Sequence, residues 1–190
     1  PMSKQSASLL VLFGATGDLA QRMLLPSLYD LQRDGLLAPG LRILATSRSG
    51  LDDAGFREHA AAAIERQAGA ALDPGQLRAL LDRLHYCPAD TQQPEAMAGL
   101  CDRIKSLRQG PMVSHLSTAP KFYAAICESL GANGLGDAGS RVLLEKPIGH
   151  DLDSAIAIND GVARVFDEDH VFRVDHYLGK EGVQNLLALR

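Results

Sequence analysis

What this sequence lacks narrows its class before any motif is read. Its three cysteines (Cys87, Cys101 and Cys127) are odd in number and widely spaced, with no Cys-x-x-Cys pair. That argues against a disulfide framework or a zinc site and predicts reduced thiols in a cytoplasmic protein. No run of ~20 apolar residues is present, so no membrane-spanning helix is expected. The first six residues lack the basic-then-apolar pattern of a secretory signal. Positive charge is not in excess: 19 Lys and Arg face 23 Asp and Glu, a net charge of −4. With no basic face, a nucleic-acid partner is not expected. A phosphorylated small molecule is not excluded, because anion binding depends on local cations and helix N-termini. His59, His85, His115, His150 and His170 are scattered without metal-ligand spacing, so no metal centre is expected.

What is present is a regular alternation. Residues 8–13 form an apolar run that stops at Gly14, which suits a central parallel strand covered on both faces. Residues 19–34 read as a helix that Pro26 should kink or split. A second strand is expected over 41–46. Asp52 and Asp53 can cap a helix running to about residue 68, and Asp73 with Pro74 opens another. Further strands are expected at 84–87, 112–117, 141–144 and 171–174. Helices are expected at 94–108, from Pro120, at 154–166 and from Gly182 onward. Strands alternating with helices predict an α/β, doubly wound parallel sheet of the Rossmann type, in the order 3-2-1-4-5-6. The tail of apolar residues after Gly182 has no stop signal, from which a fragment of a larger protein is expected.

Two segments read as chemistry. Gly14, Ala15, Thr16, Gly17, Asp18, Leu19 and Ala20 follow the first strand as G-x-x-G-x-x-A. A phosphate can approach backbone only where side chains are absent, and the next helix then offers orphan N–H groups and its dipole. The same turn also occurs for geometry alone. After the second strand, Thr46, Ser47, Arg48 and Ser49 carry no acid for a ribose 2′-hydroxyl. Arg48 offers a fork of donors for a 2′-phosphate, and Ser47 and Ser49 offer hydroxyls, which shifts the expectation from NAD to NADP.

Residues 173–181 (Arg-Val-Asp-His-Tyr-Leu-Gly-Lys-Glu) gather Asp175, His176, Tyr177 and Lys180 in nine positions. Lysine, imidazole and phenol together suit a phosphate dianion. Lys146 follows an apolar strand and precedes Pro147, a turn that can present it at the carboxyl edge of the sheet. The plainer alternative is a surface lysine paired with Glu145.

In this order and spacing, the glycine turn, Glu145-Lys146-Pro147 and the nine-residue cluster resemble glucose-6-phosphate dehydrogenase over essentially the whole chain. The resemblance implies that residues 14–19 bind the cofactor pyrophosphate, Arg48 the 2′-phosphate, and Asp90 and Thr91 the adenine side. It implies that Lys146 contacts cofactor and substrate, and that His176, Tyr177 and Lys180 hold the sugar phosphate. Asp175 would orient a catalytic histidine some sixty residues beyond His176. Residues 1–180 would be the NADP-binding domain, with 181–190 the start of a second, α+β domain that makes a dimer or tetramer. The implied reaction is oxidation of glucose 6-phosphate to the lactone, in the pentose phosphate pathway, with a fragment lacking the base inactive alone. Ala119 departs from the family, which usually has proline there.

Three other readings remain. A short-chain NADP reductase needs Tyr-x-x-x-Lys, and Tyr177 and Lys180 are one residue too close. A glucose–fructose type oxidoreductase shares Glu-Lys-Pro but not the nine-residue string. A non-catalytic NADP-sensing module would bind cofactor without turnover.

Overall fold

The structure is a computed structural model that describes residues 6–175. His176, Tyr177, Lys180 and the helix expected from Gly182 lie outside the described residues. Six parallel strands form one sheet: β1 (Leu9–Phe13), β2 (Arg42–Ser47), β3 (Leu84–Pro88), β4 (Met112–Leu116), β5 (Ser140–Glu145) and β6 (Val171–Val174). Their order is β3-β2-β1-β4-β5-β6, the doubly wound order that the alternation predicts. β1 is central. It pairs with β2 through Leu9 and Arg42 and with β4 through Leu9 and Met112.

The helices are α1 (Leu25–Arg33), α2 (Asp53–Ala68), α3 (Pro74–Leu81), α4 (Pro94–Leu107), α5 (Tyr123–Ala132) and α6 (Leu152–Ala163). α1 is preceded by a π-helical turn, Ala20–Leu24, and Pro26 sits in its first turn. Pro26 has no N–H to give to the preceding turn, and the break is expressed as a change of hydrogen-bond period at Leu25, whose N–H goes to Ala20. The caps are local and strong. The Asp52 carboxylate accepts from the Gly55 N–H at 2.8 Å, and Asp73 from Gly75 and Gln76. α6 begins two residues before the expected Ser154. Asp151 is its cap, and Ser154 closes a reciprocal capping box.

Alternation along β1 sends side chains to two cores. Leu9, Val11 and Phe13 pack with α4, α5 and α6, while Leu12 packs with α1, α2 and α3. Both layers hold the carboxyl ends of β1, β2 and β4 side by side, where a doubly wound sheet reverses direction and forms a crevice.

Candidate functional site

That crevice is a cleft of about 580 Å³ along the carboxyl edge of the sheet. The turn after β1 contributes Gly14, Thr16 and Gly17, and the loop after β2 contributes Arg48 and Ser49. Asp90 and Thr91 come from the segment after β3, and Ser117, Thr118 and Ala119 from the loop after β4. Six of the predicted cofactor residues therefore meet: Gly14, Thr16, Gly17, Arg48, Asp90 and Thr91. Ala15, Asp18 and Leu19 do not line the cleft. Ala15 is buried, and Asp18 is exposed with its carboxylate 3.7 Å from Arg22. What Asp18 and Leu19 offer is backbone, since they open the helix whose first N–H groups have no internal acceptor.

The turn itself is held by backbone bonds. The amides of Gly14 and Ala15 both donate to the Thr46 carbonyl, at 3.0 and 3.1 Å, and Gly17 donates to Gly14 at 2.9 Å. Gly14 adopts φ +74°, where an L side chain is strained. A Cβ there would also meet the Ser117 carbonyl, so β1 and β4 close against each other only around glycine. In the wall beside it, the buried Ser117 and Thr118 hydroxyls have no hydrogen-bond partner among the described residues. A side-chain-free cradle, two unsatisfied hydroxyls and a helix entrance together fit a dinucleotide pyrophosphate.

Arg48 is exposed at the rim of the cleft. Its side chain makes no hydrogen bond or ion pair among the described residues. Ser47 is different. Its hydroxyl accepts from Thr16 at 3.0 Å and from the Ser49 amide at 3.2 Å, and it bonds to the Tyr86 phenol at 2.8 Å. A hydroxyl has one donor and two acceptor positions. Ser47 is therefore fully occupied within the protein and does not offer its hydroxyl to a ligand, contrary to the sequence reading of this loop.

Lys146 and Asp175 form a second group on the same edge. Lys146 follows β5, its N–H donates to the Val174 carbonyl at 3.1 Å, and its peptide bond to Pro147 is cis. Its ammonium lies 3.6 Å from the Asp175 carboxylate. The alternative pairing with Glu145 is not what forms. Glu145 turns inward, buried, and its carboxylate meets His115 Nε2 at 2.5 Å. Tyr123 donates its phenol to the Glu145 carbonyl at 3.1 Å, fixing the backbone just before Lys146.

Sequence reasoning gave His115 no role and missed Tyr86 altogether. The signal for His115 lay in the β4–β5 register, where it pairs with Leu143 and Glu145 stands two residues further on, on the same face of the sheet. It needed the strand order to be used. No signal in the local pattern marks Tyr86, whose partners lie 37 and 39 residues away.

The loop after β4 settles into proline-like geometry without the proline. Ala119 has φ −64° and ψ 137°, the values a proline would hold, and Pro120 follows it.

Comparison with known proteins gives one consistent answer. The family model described as "Glucose-6-phosphate dehydrogenase, NAD binding domain" matches residues 11–185. The glucose-6-phosphate 1-dehydrogenase of Zymomonas mobilis is 47% identical over 186 residues, covering 97% of this chain and 38% of its own length. That of Mycolicibacterium smegmatis is 46% identical over 95% of this chain and 37% of its own. Among solved structures, the Mycobacterium avium enzyme has a TM-score of 0.82 at 34% identity, covering 97% of this chain and 40% of that one. A glucose-6-phosphate dehydrogenase in complex with glucose-6-phosphate has a TM-score of 0.84 at 32% identity, with 98% of this chain covered. The chain thus spans under two fifths of the length of the curated relatives it matches.

Proposed function

Because the chain belongs to the glucose-6-phosphate dehydrogenase family, matching its NAD-binding domain, we propose that it is the coenzyme domain of an NADP-dependent member. The whole protein would oxidise D-glucose 6-phosphate to 6-phospho-D-glucono-1,5-lactone, the first step of the oxidative pentose phosphate pathway. The choice of NADP over NAD rests on one observation. The loop after β2 brings to the cleft Arg48, unpaired among the described residues, and no acid. A carboxylate there would accept from a ribose 2′-hydroxyl and repel a 2′-phosphate, while a guanidinium does the reverse.

NADP, when bound, supplies the acceptor for the hydride that leaves C1 of the sugar. The protein's share is positioning and proton transfer. The turn at residues 14–19 takes the pyrophosphate, and Asp90 and Thr91 flank the adenosine. Lys146 reaches both ligands from the end of β5. His176, Tyr177 and Lys180, which lie outside the described residues, bind the sugar phosphate. Asp175 steadies a histidine that accepts the C1 hydroxyl proton as the hydride departs. Residues 1–180 make up this domain, and 181–190 lead into a substrate and dimerisation domain.

The test is calorimetric titration of the 190-residue chain with NADP⁺ and NAD⁺, followed by an NADPH-production assay with glucose 6-phosphate on the same mass-checked sample. Saturable binding with at least tenfold preference for NADP⁺, and no turnover, is the expected result. Preference for NAD⁺ would overturn the cofactor assignment. Real turnover would place the base within these residues and move that role to His176.

A further inference from the structure

The residues that line the cleft do not by themselves explain why the loop carrying Arg48 has one shape. An exposed arginine on the loop between β2 and α2 would sample many positions, and a planar guanidinium rewards only a few of them. The structure holds both neighbours of Arg48 with a single atom. The Tyr86 phenol donates to the Ser49 carbonyl at 2.7 Å, with the Ser47 carbonyl at 3.3 Å. The same oxygen lies 2.8 Å from the Ser47 hydroxyl.

The direction of the bonds follows from the acceptors. A carbonyl cannot donate, so the Tyr86 proton goes to Ser49. Ser47 must then donate to Tyr86, and Thr16 to Ser47 at 3.0 Å. One chain of hydroxyls therefore runs from the glycine turn, through the end of β2, to the far side of Arg48. The phenol ring has little freedom to move. It is buried, stacks on Phe56 with centroids 5.0 Å apart, and its amide donates to Asp53 at 2.6 Å. Burial also pushes the phenol's pKa up, so it remains a proton donor throughout the neutral and mildly alkaline range.

We propose that Tyr86 is a positioning residue for cofactor selectivity: its hydroxyl fixes residues 47–49 so that Arg48 is held where a nucleotide 2′-phosphate arrives. This rests on the NADP reading above. Tyr86 itself is buried and is not among the residues that line the cleft.

Calorimetric titration of the chain with NADP⁺ and NAD⁺ tests it, with thermal melting as the check on folding. Tyr86→Phe keeps the ring and its stacking and removes only the hydroxyl. The expected result is NADP⁺ binding weakened at least fivefold, with NAD⁺ binding changed less than twofold. A merely structural role would weaken both nucleotides together, and that result overturns the proposal. Arg48→Ala run in parallel separates the two levels. If Arg48→Ala leaves the preference for NADP⁺ intact, the NADP reading itself fails. If Arg48→Ala abolishes the preference and Tyr86→Phe binds NADP⁺ like the parent, only the positioning role fails. Should Tyr86→Phe not fold, Ser47→Ala cuts the same chain one link earlier and is expected to give the same selective loss. Its absence there counts equally against the proposal.

Discussion

A Cβ built on Gly14 would lie 2.1 Å from the carbonyl oxygen of Ser117. The two residues directly follow adjacent strands, β1 and β4, and the chain turns there only because one of them has no side chain. Gly17 is less constrained. Its φ is not positive, and a Cβ there meets only the Gly14 carbonyl at 3.1 Å. Gly14→Ala combines positive-φ strain with a backbone clash and should cost about 3 kcal/mol or more. That is a large share of a domain's ~5–15 kcal/mol. Gly17→Ala should cost under about 1 kcal/mol. Urea unfolding of both variants measures the ranking, and equal losses would mean that β4 yields where the structure holds it.

The buried Glu145 carboxylate meets the largely buried His115 ring, and removing the carboxylate deletes that contact. Glu145→Ala should destabilise the chain by about 3 kcal/mol, in the range for breaking a buried pair. Glu145→Gln keeps a hydrogen-bonding group of the same shape and should cost visibly less. Thermal melting of the two variants side by side gives the comparison, and identical melts would show that the carboxylate's bond to His115 contributes little.

Two buried acids set an alkaline limit. Burial pushes the Tyr123 phenol up to about 12 and the Cys127 thiol up to about 12. Each binds its proton more tightly folded than unfolded. Their stabilisation is therefore complete below the unfolded values, ~10 and ~8.5 respectively, and is lost as pH climbs from there toward the folded ones. Denaturant midpoints should hold steady up to pH ~8.5 and fall steeply between pH ~9 and ~12. In the native state at pH 8, a thiol reagent should leave the buried Cys101 and Cys127 unmodified and react first with the partly exposed Cys87. Early labelling of Cys127 would contradict its placement.

Ala119 already has the backbone of a proline. Ala119→Pro should fold normally and gain about 0.4–1 kcal/mol by restricting the unfolded chain. Melting temperature checks this. A loss instead would show that the Ala119 amide is needed where φ alone suggests that it is not.

The fold was largely legible because its signals are local. An apolar run ending in glycine marks β1, an aspartate before a proline marks α3, and the alternation of strand and helix dictates the sheet order. The cleft was legible for the same reason, since Gly14, Arg48 and Asp90 each follow a strand of that sheet. What was missed is held by contacts across the sheet. Ser47 looked like a ligand donor because its local setting is a polar loop; only β3 lying beside β2 shows that Tyr86 consumes its hydroxyl. Glu145 beside Lys146 looked like a surface ion pair. Strand geometry sends consecutive side chains to different sides, and the carboxylate goes to His115. The start of α6 was misplaced because both Asp151 and Ser154 are good caps, and the capping box uses the two together.

β1 draws its two partners from opposite parts of the chain. β2 begins about thirty residues after β1, but β4, on its other side, begins about a hundred residues after it. As the chain leaves the ribosome, the apolar strand Leu9–Phe13 can pair on one flank while the other stays open until residues 112–116 have been made. Closing that gap carries the loop entropy of a distant contact, which places this domain among slow folders and leaves a bare strand edge for other chains to find in the meantime.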